Sequence, residues 1–457
     1  MPDRSVNANW TPKILLIAGL LVFPVPTWAQ SLNSVIREAV GANPEVGAIR
    51  ANRRAVDQEL EAAKGLSRPT VDLSVQTGVR SGDIIDTRIG QESRRVGRDR
   101  VNGGVVVSQN LFDGFEAKSE QRRQGERVNS ARSRVADAAN SIALRTTQAY
   151  LEVQRSAAVV EVAQRNVAAH NEILSRVRAR SDGGGGSPID VNVASARIEA
   201  ARAFLAEAQG RNRDAETLYR AVVGKKPGKL QPVQAPIKAL PRTVDIAVSE
   251  AVQIAPSVVA TLADTRAAEA SIDSAQSRFY PRVDAQVFAD GNYGLFYRDR
   301  SRYDASALLV LRHNLYRGGI DTARVAEARE RTNEARDAAE NARRVVEREV
   351  RFAWSAIQSA QARGVALAKQ LEQNRLAFSG YVQQYELGQR TLIDILDIQN
   401  EMFISQTNMV TEEFSGRYSV FRVLAGIGRL LPALGINPPL EATWPSGDPV
   451  RRPQGAL

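Results

Sequence analysis

Four short stretches of this chain occur twice, in the same order. Ala42-Asn43-Pro44-Glu45 returns as Ile254-Ala255-Pro256-Ser257, and Arg68-Pro69-Thr70-Val71-Asp72 returns as Tyr280-Pro281-Arg282-Val283-Asp284, both 212 residues on. Asn110-Leu111-Phe112-Asp113-Gly114 returns as Asn314-Leu315-Tyr316-Arg317-Gly318, and Ser187-Pro188-Ile189-Asp190-Val191 as Thr391-Leu392-Ile393-Asp394-Ile395, both 204 residues on. The chain is therefore a tandem duplication, and its 457 residues need not form two to four unrelated domains. The offset changes by eight only between Asp72 and Asn110, which places an insertion-tolerant segment there. The duplication divides the chain into residues 30–241 and 242–431.

Long helices dominate both halves. No proline falls between Pro69 and Pro188, or between Pro281 and Pro432. An unbroken helix over 116–180 would reach ~100 Å at 1.5 Å per residue, beyond any compact domain. Ala149, Val153, Ser156, Val160, Ala163, Val167, His170, Leu174 and Val177 step alternately by four and three. The second half repeats the rhythm from Val350 through Trp354, Ile357, Gln361, Gly364, Ala368, Leu371, Arg375, Phe378 and Val382 to Tyr385. A 3.5-residue period is the seam of a left-handed coiled coil. Small residues in it let helices approach closely, and His170 reads as a packed seam residue.

Each half also holds a strand pair. Val71, Leu73, Val75, Thr77 and Val79 alternate with polar residues, and Val101, Val105 and Val107 return. Val283, Ala285, Val287 and Ala289 alternate likewise, followed by Tyr303, Ala305, Ala307, Leu309 and Leu311. The spacing predicts strands over about 70–80, 101–110, 282–290 and 303–313. Half-apolar segments of about ten residues fit a membrane barrel with a wet interior, and equally a soluble sheet with one buried face. The polar stretches 80–100 and 291–302, rich in Arg, Asp and Gly, are expected to be exposed loops.

At the N-terminus, Arg4 and Lys13 precede the apolar run 14–23, then Pro24, Pro26 and Thr27-Trp28-Ala29. That pattern predicts an export signal over residues 1–29, and ten apolar residues are too few for a membrane span. No later stretch reaches about 20 apolar residues, which argues against helical spans and leaves strand barrels open. With no cysteine there is neither a disulfide framework nor a lipid-attachment cysteine; two histidines and no cysteine leave no zinc site of the Cys/His type. No G-x-S-x-G, phosphate loop or other catalytic motif occurs, so no catalytic residue, metal or cofactor is expected, and the chain reads as a non-enzyme. Lys+Arg number 61 against 51 Asp+Glu, and the arginines interleave with acids along the helices. That marks a solvated coiled-coil surface, so no nucleic-acid partner is expected. Residues 432–457 carry six prolines and no periodicity, and read as an irregular, mobile C-terminal tail.

Paired long helices, a strand pair, the N-L-[FY]-x-G step and the duplication together resemble the TolC family, over about 30–431. The resemblance implies a mainly α fold with β: a duplicated protomer whose coiled-coil helices build a periplasmic α-barrel. Its four strands would join those of two further copies in a trimeric outer-membrane β-barrel. It implies a passive export channel with outer-membrane lipids around it. A periplasmic adaptor (membrane fusion) protein and an inner-membrane ABC or proton-driven transporter would be its partners. Localisation would be the cell outer membrane, extending into the periplasm. Four strands cannot close a bacterial barrel alone, since these begin at eight. A structural periplasmic coiled coil or adhesin stalk is the rival reading.

The segment from Tyr385 to Asp397 matches the turn that carries the family's periplasmic gate. By that match Tyr385 and Arg390 lock the gate by bonding to the first-repeat turn, with Asp190 the partner of the tyrosine hydroxyl. Asp394 and Asp397, i and i+3 on one face, would form acidic rings about a threefold axis. Otherwise they are first-turn carboxylates on a solvated face. Gly183, Gly184, Gly185, Gly186 and Gly388 are expected turn hinges, the first four unusually pliant. Ile189 offers Arg390 only a backbone carbonyl. The cargo would be protein (type I secretion) or small toxic compounds; the runs 110–115 and 218–228 look more like members serving type I secretion.

Overall fold

The computed structural model describes residues 30–86, 91–293 and 301–443. The expected export signal, 1–29, and the tail beyond 443 lie outside the described residues. The duplication is explicit in the element order. The first half runs α1 (Leu32–Ala42), α2 (Pro44–Gly65), β1 (Thr70–Asp86), β2 (Gln91–Phe112), α3 (Glu116–Asp182) and α4 (Pro188–Val223). The second runs α5 (Val244–Ile254), α6 (Pro256–Gln276), β3 (Arg282–Tyr293), β4 (Ser301–Arg312), α7 (Ile320–Glu386) and α8 (Leu392–Ile427). Both α3 and α7 have 67 residues, and both α4 and α8 have 36.

Local chemistry sets these boundaries. Ser31 caps α1 by accepting from the Ser34 N–H, and Asn43 caps α2 by accepting from Glu45. Pro44, Pro188 and Pro256 each sit in the first turn of a helix, where a missing N–H costs nothing. Gly224 and Gly428, both in the left-handed region, end α4 and α8.

The strands form one antiparallel sheet in the order β1-β2-β3-β4. Two sequence expectations need correction here. Residues 80–86 and 91–100 are strand rather than loop: the β1–β2 ladder continues from Thr70↔Ser108 through Arg80↔Arg98 to Ile84↔Arg94, and resumes past a register shift at Asp86↔Gln91. The β3–β4 ladder likewise runs from Arg282↔Arg312 to Tyr293↔Ser301, into the expected loop. The longer first hairpin holds the eight-residue difference in offset. Among the described residues β1 and β4 each pair on one side only, which leaves both outer edges open.

The helical core is distributed along the rod. Its largest cluster lies at the waist, where Ile36, Ile142, Tyr150, Tyr219, Phe421 and Leu424 are fully buried. A second joins α5 and α6 to α7 and α8 through Ala251, Val258, Val350 and Ile427. The stretch Val244–Phe279 is apolar and long enough to cross a membrane, which amends the expectation for segments beyond the N-terminus. It is divided into two helices at Ala255-Pro256, and Ala247, Ala251, Val258 and Ala263 are fully buried against the protein. The first part of the tail is also docked. Ile436 is buried, and Glu441 takes Arg50 at 2.8 Å and Arg54 at 2.7 Å. A mobile tail is therefore wrong as far as residue 443.

Candidate functional site at the helix tips

The ends of α3 and α7 farthest from the sheet meet at the turns leading into α4 and α8. Their windings match. Gly183 N–H donates to Ala179 O, Gly184 to Ser181 and Gly185 to Arg180; Leu387 donates to Gln383, Gly388 to Tyr385 and Gln389 to Gln384. Gly184 and Gly388, 204 residues apart, take φ of 77° and 75°. Only these two tip positions require the left-handed region. The glycine-rich turn is thus wound and bonded where the sequence suggested a pliant one; Gly183, Gly185 and Gly186 have no positive φ. A Cβ on Gly186 would come within 3.1 Å of the Ser181 backbone nitrogen.

The helix starts differ. Ser187 accepts from the Ile189 N–H at 3.2 Å, whereas the Asp394 carboxylate reaches back to Thr391, accepting from its N–H at 3.0 Å and its hydroxyl at 2.8 Å. The latter is the backward arm of a capping box. Those Thr391 bonds, with Arg390 beside them, hold the Asp394 carboxyl below the usual range. Asp397 pairs across the coil with Arg197 of α4 at 3.3 Å. The two carboxylates expected to make acidic rings therefore each have a partner within the protomer.

The expected lock is drawn differently too. Arg390 stays in its own turn: it donates to Gln384 Oε1 at 3.1 Å, lies 3.5 Å from Asp394, and covers the Tyr381 ring at 4.3 Å. With three local partners, its guanidinium is not directed to the first-repeat turn. The residue that crosses is Arg180, near the end of α3. It donates to Gly185 O and to the backbone carbonyl of Tyr385, and its guanidinium lies 4.7 Å from the Tyr385 ring centre. Burial raises the Tyr385 hydroxyl pKa; Arg180 opposes that and the Asp190 charge adds to it. Asp190 thus lies within electrostatic reach of Tyr385, and among the described residues no hydrogen bond joins them. Arg180 was missed in the sequence because no motif marks it; its counterpart 204 residues on is Gln384.

Behind this contact lies a cleft of about 730 Å³ lined by Ile173, Val177, Arg180, Phe378, Val382 and Tyr385. Its rim is ionic, with Arg176 bridging Glu172 at 2.7 Å and Glu386 at 3.5 Å. Farther up, His170 is buried in the seam as expected, its Nδ1 unpaired among the described residues, beside the Asn166–Gln399 bond of 3.1 Å. Among the described residues no group of three or more His, Asp or Glu could hold a metal.

The model of a family described as outer membrane efflux protein matches residues 35–225 and 247–413. The chain is 25% identical over 417 residues to the outer membrane efflux protein BepC of Brucella suis biovar 1 (strain 1330), covering 91% of this chain and 89% of that protein. It is 22% identical over 429 residues to the outer membrane protein TolC of Vibrio cholerae, covering 91% and 95%. The solved outer membrane protein VceC of Vibrio cholerae superposes with a TM-score of 0.73 at 18% identity, over 88% of this chain and 96% of that one, a likeness of fold.

Proposed function

Because the chain belongs to the outer membrane efflux protein family, whose members are outer-membrane channels extending into the periplasm, we propose that three copies form the exit duct of a tripartite export machine. The observation that carries this reading is the open sheet. Among the described residues β1 and β4 have unpaired edges, and Val71, Leu73, Val75 and Leu309 are exposed. Three such sheets supply twelve strands, enough for a closed barrel without exposed edges. Lipid covers the apolar face, and the long helices continue the duct into the periplasm.

Transport is passive, driven by an inner-membrane ABC or proton-driven pump joined through a periplasmic adaptor. The runs 110–115 and 218–228 resemble members serving type I secretion, so an exported polypeptide is the first cargo to test, ahead of small toxic compounds. The tip is the periplasmic gate. Within each protomer Arg180, gripping the Tyr385 carbonyl and ring, ties the α7–α8 coil to α3 and keeps the aperture narrow. Tyr385 and Asp190 stand beside that contact, Arg390 and Asp394 stiffen the second turn, and Asp397 with Arg197 marks the acidic approach.

Purification from native membranes with mild cross-linking tests the assembly. A heat-modifiable, detergent-requiring trimer carrying an adaptor and a pump supports the duct. A detergent-free coiled-coil protein with neither supports the adhesin or stalk reading instead.

A further inference from the structure

Gln30 is held by five hydrogen bonds at the waist, far from the gate. Its N–H donates to Lys229 O at 2.9 Å, and its own carbonyl accepts from Gln231 N–H at 3.0 Å and from the Tyr150 hydroxyl at 2.7 Å. Its side-chain Oε1 accepts from the Tyr219 hydroxyl at 3.2 Å and from Gly228 N–H at 3.3 Å. Tyr150 and Tyr219 are themselves fully buried. The socket is therefore built, and it uses one donor and two acceptors of this residue. Among the described residues the carboxamide nitrogen, Nε2, has no partner.

Those three groups are the ones a pyroglutamyl residue keeps: a lactam N–H, a lactam carbonyl and the backbone carbonyl. The group left unused is the one that cyclisation expels. We propose that Gln30, once it is the first residue, is converted to pyroglutamate and occupies this socket as the lactam. The proposal rests on the export-signal reading of residues 1–29, and is independent of the channel reading.

The reaction needs no co-reactant. The α-amino nitrogen attacks Cδ, the N–Cδ bond forms, and the Cδ–Nε2 bond breaks; Nε2 leaves as ammonia with the proton the amine gives up. Both the backbone nitrogen and Oε1 of Gln30 already face Gly228 and Lys229. The two donors on Oε1 polarise the carbonyl that is attacked and steady the oxyanion that develops there. Ring closure also removes a charge from an unfavourable place. A free α-ammonium would stand two residues before Leu32, at the positive end of α1, whose first turn has no acidic residue to offset it.

The test is mass spectrometry of the N-terminal peptide of protein purified from native membranes. An isotope-labelled synthetic peptide beginning at Gln30 is added at lysis to report cyclisation caused by handling. The expected result is a native peptide beginning at Gln30, short of one ammonia and blocked to sequential degradation, while most of the labelled peptide stays open. A native peptide with an open Gln30, or cyclised no further than the labelled one, overturns the proposal. A chain beginning elsewhere overturns both the proposal and the signal reading. In a pulse-chase, Tyr219→Phe removes one of the two donors and is expected to slow cyclisation several-fold in protein that still forms its native assembly. An unchanged rate would remove the socket from the chemistry.

Discussion

α3 and α7 have the same length and the same place in their repeats, yet one is an interior helix and the other an edge. α3 is packed along its whole length, from Val128 and Val135 through Ile142 and Tyr150 to Leu174 and Val177. The equivalent seam of α7 is buried at Val350 and Leu371, but Gln361, Ala368 and Arg375 are exposed, as are Phe352, Val365 and Leu376 around it. The periodicity is shared and the burial is not, because α3 lies between α6, α4 and α8 while α7 has neighbours on fewer sides. A duplicated sequence therefore marks where a helix can pack, and its unfilled copy on α7 is the face that the proposed assembly would cover with another protomer.

The largest effects should divide along that line. Ile142→Ala on α3 should cost the protomer about 2–5 kcal/mol, from lost burial and the cavity left behind. Phe352→Ala on α7 should change protomer stability by no more than ~0.5 kcal/mol while lowering trimer yield. Denaturation melts of dissociated protomer and native mass spectrometry of the assembly measure the two. Equal costs to the protomer would erase the distinction between interior and edge.

Next come the paired turn glycines. Gly184→Ala and Gly388→Ala should each cost ~1 kcal/mol, since alanine strains at positive φ, whereas Gly183→Ala, at φ −77°, should cost little. Thermal melts of the three variants decide this, and a pliant first turn would make Gly184→Ala as mild as Gly183→Ala.

The seam offers a pH contrast. His170 of α3 is matched 204 residues on by Asn374 of α7, which does not titrate. Burial lowers the His170 pKa, with the Arg197 charge adding to it. Unfolded histidine titrates near ~6.5, so the folded state is the poorer proton binder. This contribution to stability is complete above that pH and is lost as pH falls through it toward the lower folded value. Melting temperature should drop between about pH 7 and pH 5, and His170→Asn should flatten that component. The smallest effect belongs to the caps. Asp394→Ala should speed amide exchange in the first turn of α8, while Asp190→Ala should leave the first turn of α4 nearly unchanged, since only Asp394 bonds back to its cap.

Much of this was legible in the sequence because the helical signals are local. The 204-residue offset holds from the Asn110 and Asn314 motifs to the tip turns, and the 3.5-residue seam of α3 is the one that is buried. Strand length was less legible. Residues 80–86 and 91–100 pair as backbone, but their sequence carries no sustained apolar alternation, the strand signal carried by the other segments. The tip residues were found by motif and the contact between them was not. Arg180 meets Tyr385 only because α3 and α7 converge, a long-range fact that neither helix carries in its own pattern. The docking of Ile436 and Glu441 escaped for the same reason: prolines forecast irregular backbone and say nothing of what it rests on.

The proposed channel would be held nearly shut at its inner end by Arg180. Single-channel recording of the purified trimer in planar bilayers tests it most directly. Wild type should show a small, steady conductance, Arg180→Ala a several-fold larger one, and Tyr385→Phe little change, because the ring and carbonyl that Arg180 grips remain. Absence of any conducting unit would contradict the channel, and an Arg180→Ala trimer as closed as wild type would contradict the Arg180 gate.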